Sequence, residues 1–525
     1  MYIVNNVKIE LDDKEILTAI SKKLKIDKKY IISYKFYKKA IDSRDKEHIF
    51  FLCHFLVEVD RKVVSKIIKN KDVKIYKPYK LKLDKINTDK KVVVVGTGPA
   101  GLFASYFLAL NGIKVTLIEK GKKVEDRCKD IEEFFNKGIL DVNSNLQYGE
   151  GGAGTFSDGK LTTNINDERI EFIKNTFIKF GASEEIYYLS KPHIGSDVLV
   201  NVMKNFRKEL LDLNVDIHFE TTLVDLNIKN EVLNAIKVVN NVTNHEEILD
   251  CDYLVLATGH SARDIYYMLD RLGIVLNKKP FSIGVRIEHK QSDINMSQYG
   301  EKYYNNEFLP SADYKLNVRL DNGRTLHTFC MCPGGVVVAS SSENGEIVTN
   351  GMSYYARDKE NANSALLVNV EDKDLDDSLF SGIEFQKKYE KLAYEISKDY
   401  RAPCQRFIDL VNNKVAEPGK IKPSYKPGVV SANLRECLPD FVIDTLIEGI
   451  PLMDKKIKGF ANDDALLIAP ETRSSSPLRI VRDDTYQTNI KGVFPAGEGS
   501  GYSSGITTSA LDGIRVAQKI IDLLK

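Results

Sequence analysis

The chain of 525 residues contains no run of 18 consecutive apolar residues, so no transmembrane helix and no membrane partner are expected. Its first residues, MYIVNNVKIELDDKE, lack the basic-then-apolar pattern of a secretory signal, and a cytoplasmic location is the expectation. The seven cysteines are odd in number and scattered, which argues against a disulfide framework. CxxC and HExxH motifs are absent from the sequence, so no metal site is predicted.

The charge is divided unevenly along the chain. Residues 1–91 carry 24 Lys and Arg against 13 Asp and Glu, a net charge of +11, whereas the remainder has 51 basic and 61 acidic residues, a net charge of −10. This split is typical of separate modules, and we predict a small basic α+β domain at residues 1–88, with a helix from Lys14 to Leu24. Such a domain could dock an acidic protein partner. Nucleic acid is a weaker candidate because no aromatic–basic RNA-binding motif is present, and a solvated Lys-rich face is the plainer interpretation.

Residues 91–120, KVVVVGTGPAGLFASYFLALNGIKVTLIEK, contain a dinucleotide-binding fingerprint between two strands and a helix. Gly96 permits the tight turn, Gly98 leaves room for a pyrophosphate, and Gly101 lets the helix pack closely on the strand. The N-terminus of that helix favours anions. Glu119 ends the second strand, where its carboxylate can accept hydrogen bonds from a ribose diol. The pattern predicts nucleotide binding.

Later segments are predicted to return to this nucleotide-binding domain. They comprise a Gly-rich loop at residues 147–161, a strand at 251–259, and a strand, Gly-rich turn and final helix at 492–525. Between them, alternating runs such as FSIGVRIEH predict the antiparallel strands of an inserted domain. The segment IYYLS, which begins at residue 186, has a strand-like composition. The predicted domains are 1–88, 89–279, 280–479 and 480–525, the second and fourth being two parts of one domain.

The order of these segments resembles that of the two-dinucleotide-binding-domain flavoproteins. GTGPAG with Glu119 and Lys120 resembles their ADP-binding arm, and Arg127 matches an arginine found near the FAD phosphates. LATG resembles the strand that closes over the nucleotide, and GVFPAGEGSG the C-terminal motif, in which this chain has Glu498 where relatives carry Asp. With GEGGAGTFSDGKL, KPHIGSD, FCMCPGG, APCQR and PETRSSSPLRIVRD, the chain is similar over its full length to bacterial NAD(FAD)-utilising dehydrogenases with an N-terminal extension.

This resemblance implies an α/β protein with a Rossmann-like FAD-binding domain, an inserted mixed α+β substrate domain and the small N-terminal α+β domain. The cofactor would be FAD. NAD(P)H is a candidate transient co-substrate, because no second nucleotide fold follows the first. The implied cofactor-binding residues are Gly96, Gly98, Pro99, Ala100, Gly101, Glu119, Lys120, Arg127, Gly151, Gly152, Gly154, Thr155, Ala257, Thr258, Gly259, Gly497, Glu498, Gly505 and Ile506.

Four residues are candidates for catalysis. His193 is a candidate acid or base because histidine titrates near neutrality, or else it fixes the loop before a helix. Cys330 and Cys332 could act as a redox pair or as a nucleophile, although i and i+2 side chains in a strand are rarely placed to bridge. Small buried core cysteines are the plainer interpretation of these two.

Arginines could clamp an anionic small-molecule substrate through paired hydrogen bonds. Arg473 is favoured because it lies beside a Ser-rich turn shortly before the last strand, while ordinary ion pairing is the alternative for each. The other arginines considered are Arg286, Arg406 and Arg479.

The sequence therefore predicts an FAD-dependent oxidoreductase, a dehydrogenase or reductase that transfers hydride between flavin and an unidentified small molecule. Two alternatives stay open. One is a flavoprotein RNA-modification factor that docks RNA through the basic N-terminal domain. The other is a non-catalytic, nucleotide-sensing protein.

Overall fold

The computed structural model describes residues 1–13, 15–79 and 81–525. The first residue of the helix predicted from Lys14 lies outside the described residues, and the described helix begins at Ile16. The N-terminal region forms a four-stranded antiparallel sheet in the order β2-β3-β1-β4, and both of its helices contribute buried residues to the hydrophobic cluster of this sheet. Its elements are β1 (Tyr2–Glu10), α1 (Ile16–Leu24), β2 (Ile31–Asp42), β3 (Phe50–Val59), α2 (Val64–Ile67) and β4 (Val73–Ile75).

The next region supplies four strands of a parallel sheet and a separate antiparallel meander. Its elements are β5 (Val92–Val95), α3 (Pro99–Leu110), β6 (Val115–Ile118), α4 (Val124–Lys137), α5 (Arg169–Lys179), α6 (Glu185–Tyr188), α7 (Ser196–Asp212), β7 (Asp216–His218), β8 (Thr221–Lys229), β9 (Val232–Asn240), β10 (Glu246–Asp250), β11 (Tyr253–Leu256) and α8 (Arg263–Arg271). The segment IYYLS, predicted as a strand, begins instead in helix α6. Tyr188 stacks on Phe36 and the Tyr187 hydroxyl lies 3.4 Å from that of Tyr76, so contacts with the N-terminal region override the local strand preference.

The third region is built on a seven-stranded sheet in the order β14-β15-β18-β13-β21-β19-β20. Its elements are β12 (Leu276–Lys278), β13 (Phe281–Lys290), α9 (Gln291–Tyr299), β14 (Asn317–Arg319), β15 (Thr325–Cys332), β16 (Val336–Ala339), β17 (Thr349–Met352), β18 (Asn361–Val370), α10 (Ser381–Ser397), β19 (Ala402–Arg406), α11 (Phe407–Val411), β20 (Val429–Ser431), α12 (Asp440–Asp454), β21 (Leu466–Glu471) and β22 (Leu478–Ile480). Strands β12 and β22 pair with each other as a two-stranded ribbon where the chain enters and leaves this region.

The chain ends with β23 (Val493–Pro495) and α13 (Ile506–Leu524). Strand β23 completes the parallel sheet, whose order is β23-β11-β5-β6-β7. The four valines of β5 are buried on both faces, as expected for a central parallel strand between helical layers. Helix α13 lies so close to α3 that a side chain at Gly513 would overlap the backbone of Ala100. The predicted fold class is confirmed, whereas the domain limits stay predictions.

The N-terminal region contacts both other parts of the molecule. Phe36 stacks on Tyr188 of α6 with ring centroids 5.0 Å apart. Ile49 is buried in the hydrophobic cluster of the seven-stranded sheet, and Lys46 Nζ donates a hydrogen bond to the Ser297 carbonyl at 2.6 Å. Within the described residues, no helix is both long and apolar enough to cross a membrane.

Candidate functional site

A deep cleft begins at the carboxyl edge of the parallel sheet and extends to the seven-stranded sheet. The empty space within it, including the part open to solvent, is about 1410 Å³. Strands β5, β6 and β11 all end at this edge, and a ligand site is expected there in parallel α/β sheets. The loop at residues 147–161, β15, β21 and the start of α13 supply the remaining walls.

The three glycines of the fingerprint have different surroundings. Gly96 has φ +103°, and a side chain there would overlap the Ala257 carbonyl. A side chain at Gly101 would overlap the Gly96 carbonyl, so this glycine serves the packing of helix on strand. Gly98 has φ −68°, and the nearest atom to a Cβ at this position is Gly152 Cα at 3.9 Å. The space beside Gly98 is therefore open to the cleft.

Two helices start at the cleft without a side-chain cap. Gly98 precedes α3 and Gly505 precedes α13, and among the described residues no capping side chain accepts a hydrogen bond from the first N–H groups of either helix. Both glycines line the cleft. Unpaired N–H groups and two helix dipoles therefore favour an anionic ligand such as a pyrophosphate.

Glu119 lines the cleft and is 5% exposed. Its Oε2 accepts from the Thr97 N–H at 2.9 Å and the Thr97 hydroxyl at 2.7 Å, and its Oε1 accepts from the N–H groups of Gly121 and Gly149, each at 2.9 Å. These four donors fill the acceptor positions of a carboxylate. Because a hydroxyl can rotate, a ribose hydroxyl would take the place of the Thr97 hydroxyl.

Arg127 lies behind the loop at residues 145–152 and does not line the cleft. Its guanidinium donates to the carbonyls of Asn145, Leu146, Gly149, Glu150 and Gly152 at 2.7–3.2 Å. Complete burial lowers its pKa to about 10. The structure therefore shows Arg127 holding the backbone of the Gly-rich loop; its implied place near the phosphates stays a prediction.

Most of the other implied cofactor residues lie together in the cleft wall. Those lining it are Gly96, Gly98, Pro99, Ala100, Glu119, Gly152, Gly154, Ala257, Thr258, Gly259, Gly497, Glu498, Gly505 and Ile506. Lys120 lies outside, with its Nζ 4.4 Å from the centre of the Tyr148 ring. Gly151 and Thr155 border a small adjoining void, and Gly101 is buried in the helix packing.

Cys330 and Cys332 both line the cleft and are free thiols. Cys330 lies at an irregularity of β15 with φ +42°, a conformation that is uncommon and strained for a residue with a side chain. Its side chain is exposed towards the cleft, yet the surrounding protein desolvates the thiol and raises its pKa to about 12. Burial also raises the pKa of Cys332. Both thiols are therefore protonated at neutral pH, which does not favour a thiolate nucleophile.

His193 lies outside the cleft wall. Its Nε2 is 3.0 Å from the Tyr355 carbonyl, and its ring stacks on that of Tyr355. Burial and the nearby Arg357 lower its pKa. These contacts are those of a residue that fixes the loop before α7, and the acid–base role predicted for His193 has no contact with the cleft to support it.

Arg473 lines the cleft, but its guanidinium is already engaged by protein groups. It donates to Glu390 Oε1 at 3.0 Å and Oε2 at 2.8 Å, to Glu346 Oε2 at 3.1 Å and to Ser342 Oγ at 2.6 Å. Arg263 of α8 binds the same two glutamates. We call Arg263, Arg473, Glu346 and Glu390 the buried charge cluster. It joins the third region to the nucleotide-binding region, so Arg473 has no free pair of donors for a substrate.

Several cleft residues were not singled out by their sequence pattern. Thr97 occupies a variable position of the fingerprint, and Lys160 ends the motif GEGGAGTFSDGK. Glu471 also lines the cleft, at the end of the apolar strand LLIAPE. Glu471 could have been identified from one feature of the sequence, which is an acidic residue at the end of an apolar strand, because charged residues are rarely buried.

The parallel sheet, the glycine turn and the cleft between two sheets define a Rossmann-type dinucleotide-binding protein with an inserted second domain. Family models match residues 90–267 (pyridine nucleotide-disulphide oxidoreductase), residues 280–474 (FAD-dependent protein, C-terminal domain-like) and residues 1–58 (a domain of unknown function). An uncharacterized protein of Clostridium beijerinckii is 43% identical over 533 aligned residues, which cover 99% of this chain and 98% of the relative. The chain belongs to the FAD-dependent pyridine nucleotide-disulphide oxidoreductase family, with an N-terminal domain of unknown function. The resemblance drawn from the motifs is thus confirmed.

Two further proteins are similar over parts of the chain or in shape. A ferredoxin–NADP reductase of Oenococcus oeni is 25% identical over 174 residues, covering 33% of this chain and 46% of that protein. A quinol fumarate reductase structure from E. coli matches 83% of this chain and 70% of its own, with 11% identity and a TM-score of 0.38.

Proposed function

We propose that this protein is an FAD-dependent oxidoreductase that transfers hydride between bound flavin and a small molecule. Membership of the oxidoreductase family supports the general activity. The observation that carries the cofactor assignment is the open position at Gly98, between two helix N-termini that lack caps. No other fingerprint glycine has free space beside it, because side chains at Gly96 and Gly101 would overlap backbone.

The residues along the cleft would bind FAD along its length. Glu119 would bind the adenosine ribose, and the starts of α3 and α13 would bind the pyrophosphate and stabilise negative charge on the flavin. The far end of the cleft, at β15 and β21, would then face the reactive ring. When bound, FAD supplies the hydride chemistry, while the protein binds, orients and desolvates the reactants.

We infer that reductant and substrate share the far end of the cleft. The GxGxxG spacing lies between a strand and a helix at residues 96–101, whereas the same spacing at residues 149–154 follows no strand. Within the described residues the chain forms one all-parallel sheet, so NAD(P)H would bind transiently beside the flavin. An anionic substrate would meet Lys160, whose side chain is 33% exposed and lies 3.4 Å from Asp158. Asp158 is also paired with Arg357, so its negative charge does not fully neutralise Lys160.

The absorbance spectrum of the purified protein tests this function. We expect the visible bands of oxidised flavin, and we expect anaerobic NADH or NADPH to bleach them. A yellow protein that resists both donors would show that its own substrate supplies the electrons. A colourless protein that does not take up added FAD would contradict the proposed function.

A further inference from the structure

The far end of the cleft contains a buried ion pair that the fingerprint does not explain. Arg286 comes from β13 and is 0% exposed, and Glu471 ends the neighbouring strand β21 and is 3% exposed. Arg286 Nε lies 2.9 Å from Glu471 Oε2. Glu471 lines the cleft together with Cys330 and Cys332 of β15, so its carboxyl group is accessible to a molecule bound there.

This pair is incompletely hydrogen bonded. The Arg286 Nε–H does not point at the carboxylate, and neither Nε nor Glu471 Oε2 has a hydrogen-bond partner among the described residues. The other two guanidinium nitrogens share one acceptor, the Cys330 carbonyl, at 3.1 and 3.2 Å. Both amide atoms of the adjacent Asn363 are likewise without partners there. Buried polar groups almost always have partners, so water or a polar group of a ligand beside Glu471 is expected to complete these hydrogen bonds.

Gly351 of β17 keeps this arrangement in place. A side chain at Gly351 would overlap both Arg286 Nη2 and the Asn363 side chain. The backbone of Gly351 does not lie in the left-handed region, so space rather than conformation requires glycine here. The chain therefore leaves room for the guanidinium at the cleft wall.

The surroundings of Glu471 suit a group that exchanges a proton. Burial raises its pKa to about 7, while the charge of Arg286 opposes that rise. Cys330 and Cys332 of β15, whose thiols stay protonated, line the cleft beside it, and Lys160 of the Gly-rich loop interacts with both thiols. Glu288 of β13 interacts with Arg286 from the same strand. A carboxyl group that is half ionised near neutral pH is well matched to acid–base catalysis.

We propose that Glu471, oriented by Arg286, takes the proton from a substrate whose reacting carbon bears a hydroxyl or amino group. This proposal rests on the proposed function, since the flavin is the oxidant. The C–H bond breaks and its electron pair leaves as hydride to the flavin, which is reduced by two electrons. The O–H or N–H bond breaks as its proton passes to the Glu471 carboxylate, and a C=O or C=N bond forms. Substrates are therefore small alcohols or amines, and Glu471 returns the proton in the reverse direction.

The first test uses the FAD-loaded protein and its visible spectrum between about pH 5 and pH 9. Because a charge that appears in the cleft perturbs the flavin bands, the wild-type protein should show a transition near pH 7. Glu471→Gln should abolish that transition. Glu395→Gln is the control, because Glu395 is an exposed glutamate on α10 that does not line the cleft. The control should keep the transition.

A second variant guards against failure of Glu471→Gln to fold. Gly351→Ala displaces the Arg286 guanidinium, so the transition should move to higher pH while the flavin stays bound. Anaerobic reduction by a panel of small alcohols and amines should then be slowed by Glu471→Gln, by about 10²- to 10⁴-fold at pH 8. In the wild-type protein this reduction should become faster as pH rises through the transition, because the carboxylate is the base.

The outcomes separate the two proposals. A protein that cannot bind FAD overturns the proposed function and this inference with it. A yellow protein whose transition is the same in Glu471→Gln, or is unmoved in Gly351→Ala, overturns the role of Glu471 alone. Equal reduction of wild-type protein and Glu471→Gln by every alcohol and amine would do the same.

Discussion

At the scale of single residues, the fingerprint glycines serve two purposes that one consensus pattern conceals. Gly96 and Gly101 are required by neighbouring backbone, whereas Gly98 has an ordinary φ and free space beside it. The folded protein alone would therefore tolerate a side chain at Gly98. We infer that glycine is needed at this position to leave space for a ligand.

Gly98→Val should therefore fold normally and lose FAD. The valine side chain would extend into the cleft where the pyrophosphate is expected, while Gly152 Cα, 3.9 Å from the Cβ position, leaves it room in the free protein. The flavin absorbance per protein and the melting temperature together measure this. The control is Gly101→Ala, whose methyl group would overlap the Gly96 carbonyl and lower the stability by about 1–3 kcal/mol or more. A Gly98→Val protein with full FAD content would show that the cofactor lies elsewhere.

Some residues of the site could be predicted from the sequence and others could not. The glycines and Glu119 were predictable because turn, helix and acid are set by spacing within one short segment. The arginines were not. Arg127 and Arg473 were identified as polar contacts for a ligand, and those roles stay predictions. Their partners within the protein are loop carbonyls, glutamates and a serine about 20 to 130 residues away in the chain, which no local pattern reveals.

At the scale of elements, the buried charge cluster connects α8, α10 and the strand end after β21. Arg263 and Arg473 bind Glu346 and Glu390, all four being nearly or fully buried. Although burial opposes it, the two arginines hold the pKa of Glu390 well below its usual range. Burial and the neighbouring Glu390 raise the pKa of Glu346 to about 8. The pair formed by Glu346 and Glu390 therefore binds a proton more readily than two exposed carboxyl groups do, and Glu346 is the member whose pKa is raised.

This proton makes stability depend on pH. In the unfolded chain Glu346 loses its proton near its ordinary pKa of 4.5, whereas in the folded protein it keeps it to about pH 8. Between these values the folded state binds more protons, so the free energy of unfolding falls as pH rises. Glu346→Gln removes this contribution. Between pH 5 and 8 the free energy of unfolding of the variant should fall less steeply than that of the wild-type protein, and the two slopes should differ by up to about 1.4 kcal/mol per pH unit.

Urea unfolding of both proteins across this pH range measures the difference. Glu395→Gln, an exposed glutamate on α10, provides the control and should follow the wild-type protein. Parallel pH dependence for wild type and Glu346→Gln would contradict the assignment of the proton.

Helices and strands were predicted correctly where the spacing of apolar residues in the sequence matched the pattern of burial in the folded protein. FSIGVRIEH alternates and forms β13, and the four valines before Gly96 form β5. The strand predicted for IYYLS was wrong because contacts with the N-terminal region hold its tyrosines in α6. These contacts join segments more than 100 residues apart in the chain. The inserted sheet joins β21 to β13 across about 180 residues, and its strand order had no local signature.

At the scale of the whole molecule, the N-terminal region contacts both the nucleotide-binding region and the inserted region. Phe36 packs between Phe55 of its own sheet and Tyr188 of α6, with ring centroids 4.8 and 5.0 Å away. On the other side, Ile49 is buried with the core of the seven-stranded sheet. This region therefore helps to fix the position of one part relative to the other.

Phe36→Ala should lower the stability by about 1–3 kcal/mol, since it removes a half-buried aromatic ring from this interface. It should also make the linker after β4 more sensitive to limited proteolysis, which gel analysis would follow over time. Ile32→Ala is the control, because Ile32 lies on the same strand and is 64% exposed. This substitution should leave the stability and the rate of proteolysis nearly unchanged. Equal proteolysis of the two variants would show that the Phe36 contact does not hold the N-terminal region.

The ribbon of β12 and β22 has a consequence for how such proteins diversify. Leu276 pairs with Ile480 and Lys278 with Leu478, so the chain leaves and rejoins the nucleotide-binding region at neighbouring strands, about 5 Å apart. A polypeptide whose two ends lie one strand spacing apart would meet this junction without disturbing the part of the cleft that the parallel sheet and the start of α13 form. Recombination at these two points would exchange the cleft walls that the seven-stranded sheet supplies while leaving the glycine turn and the start of α13 in place.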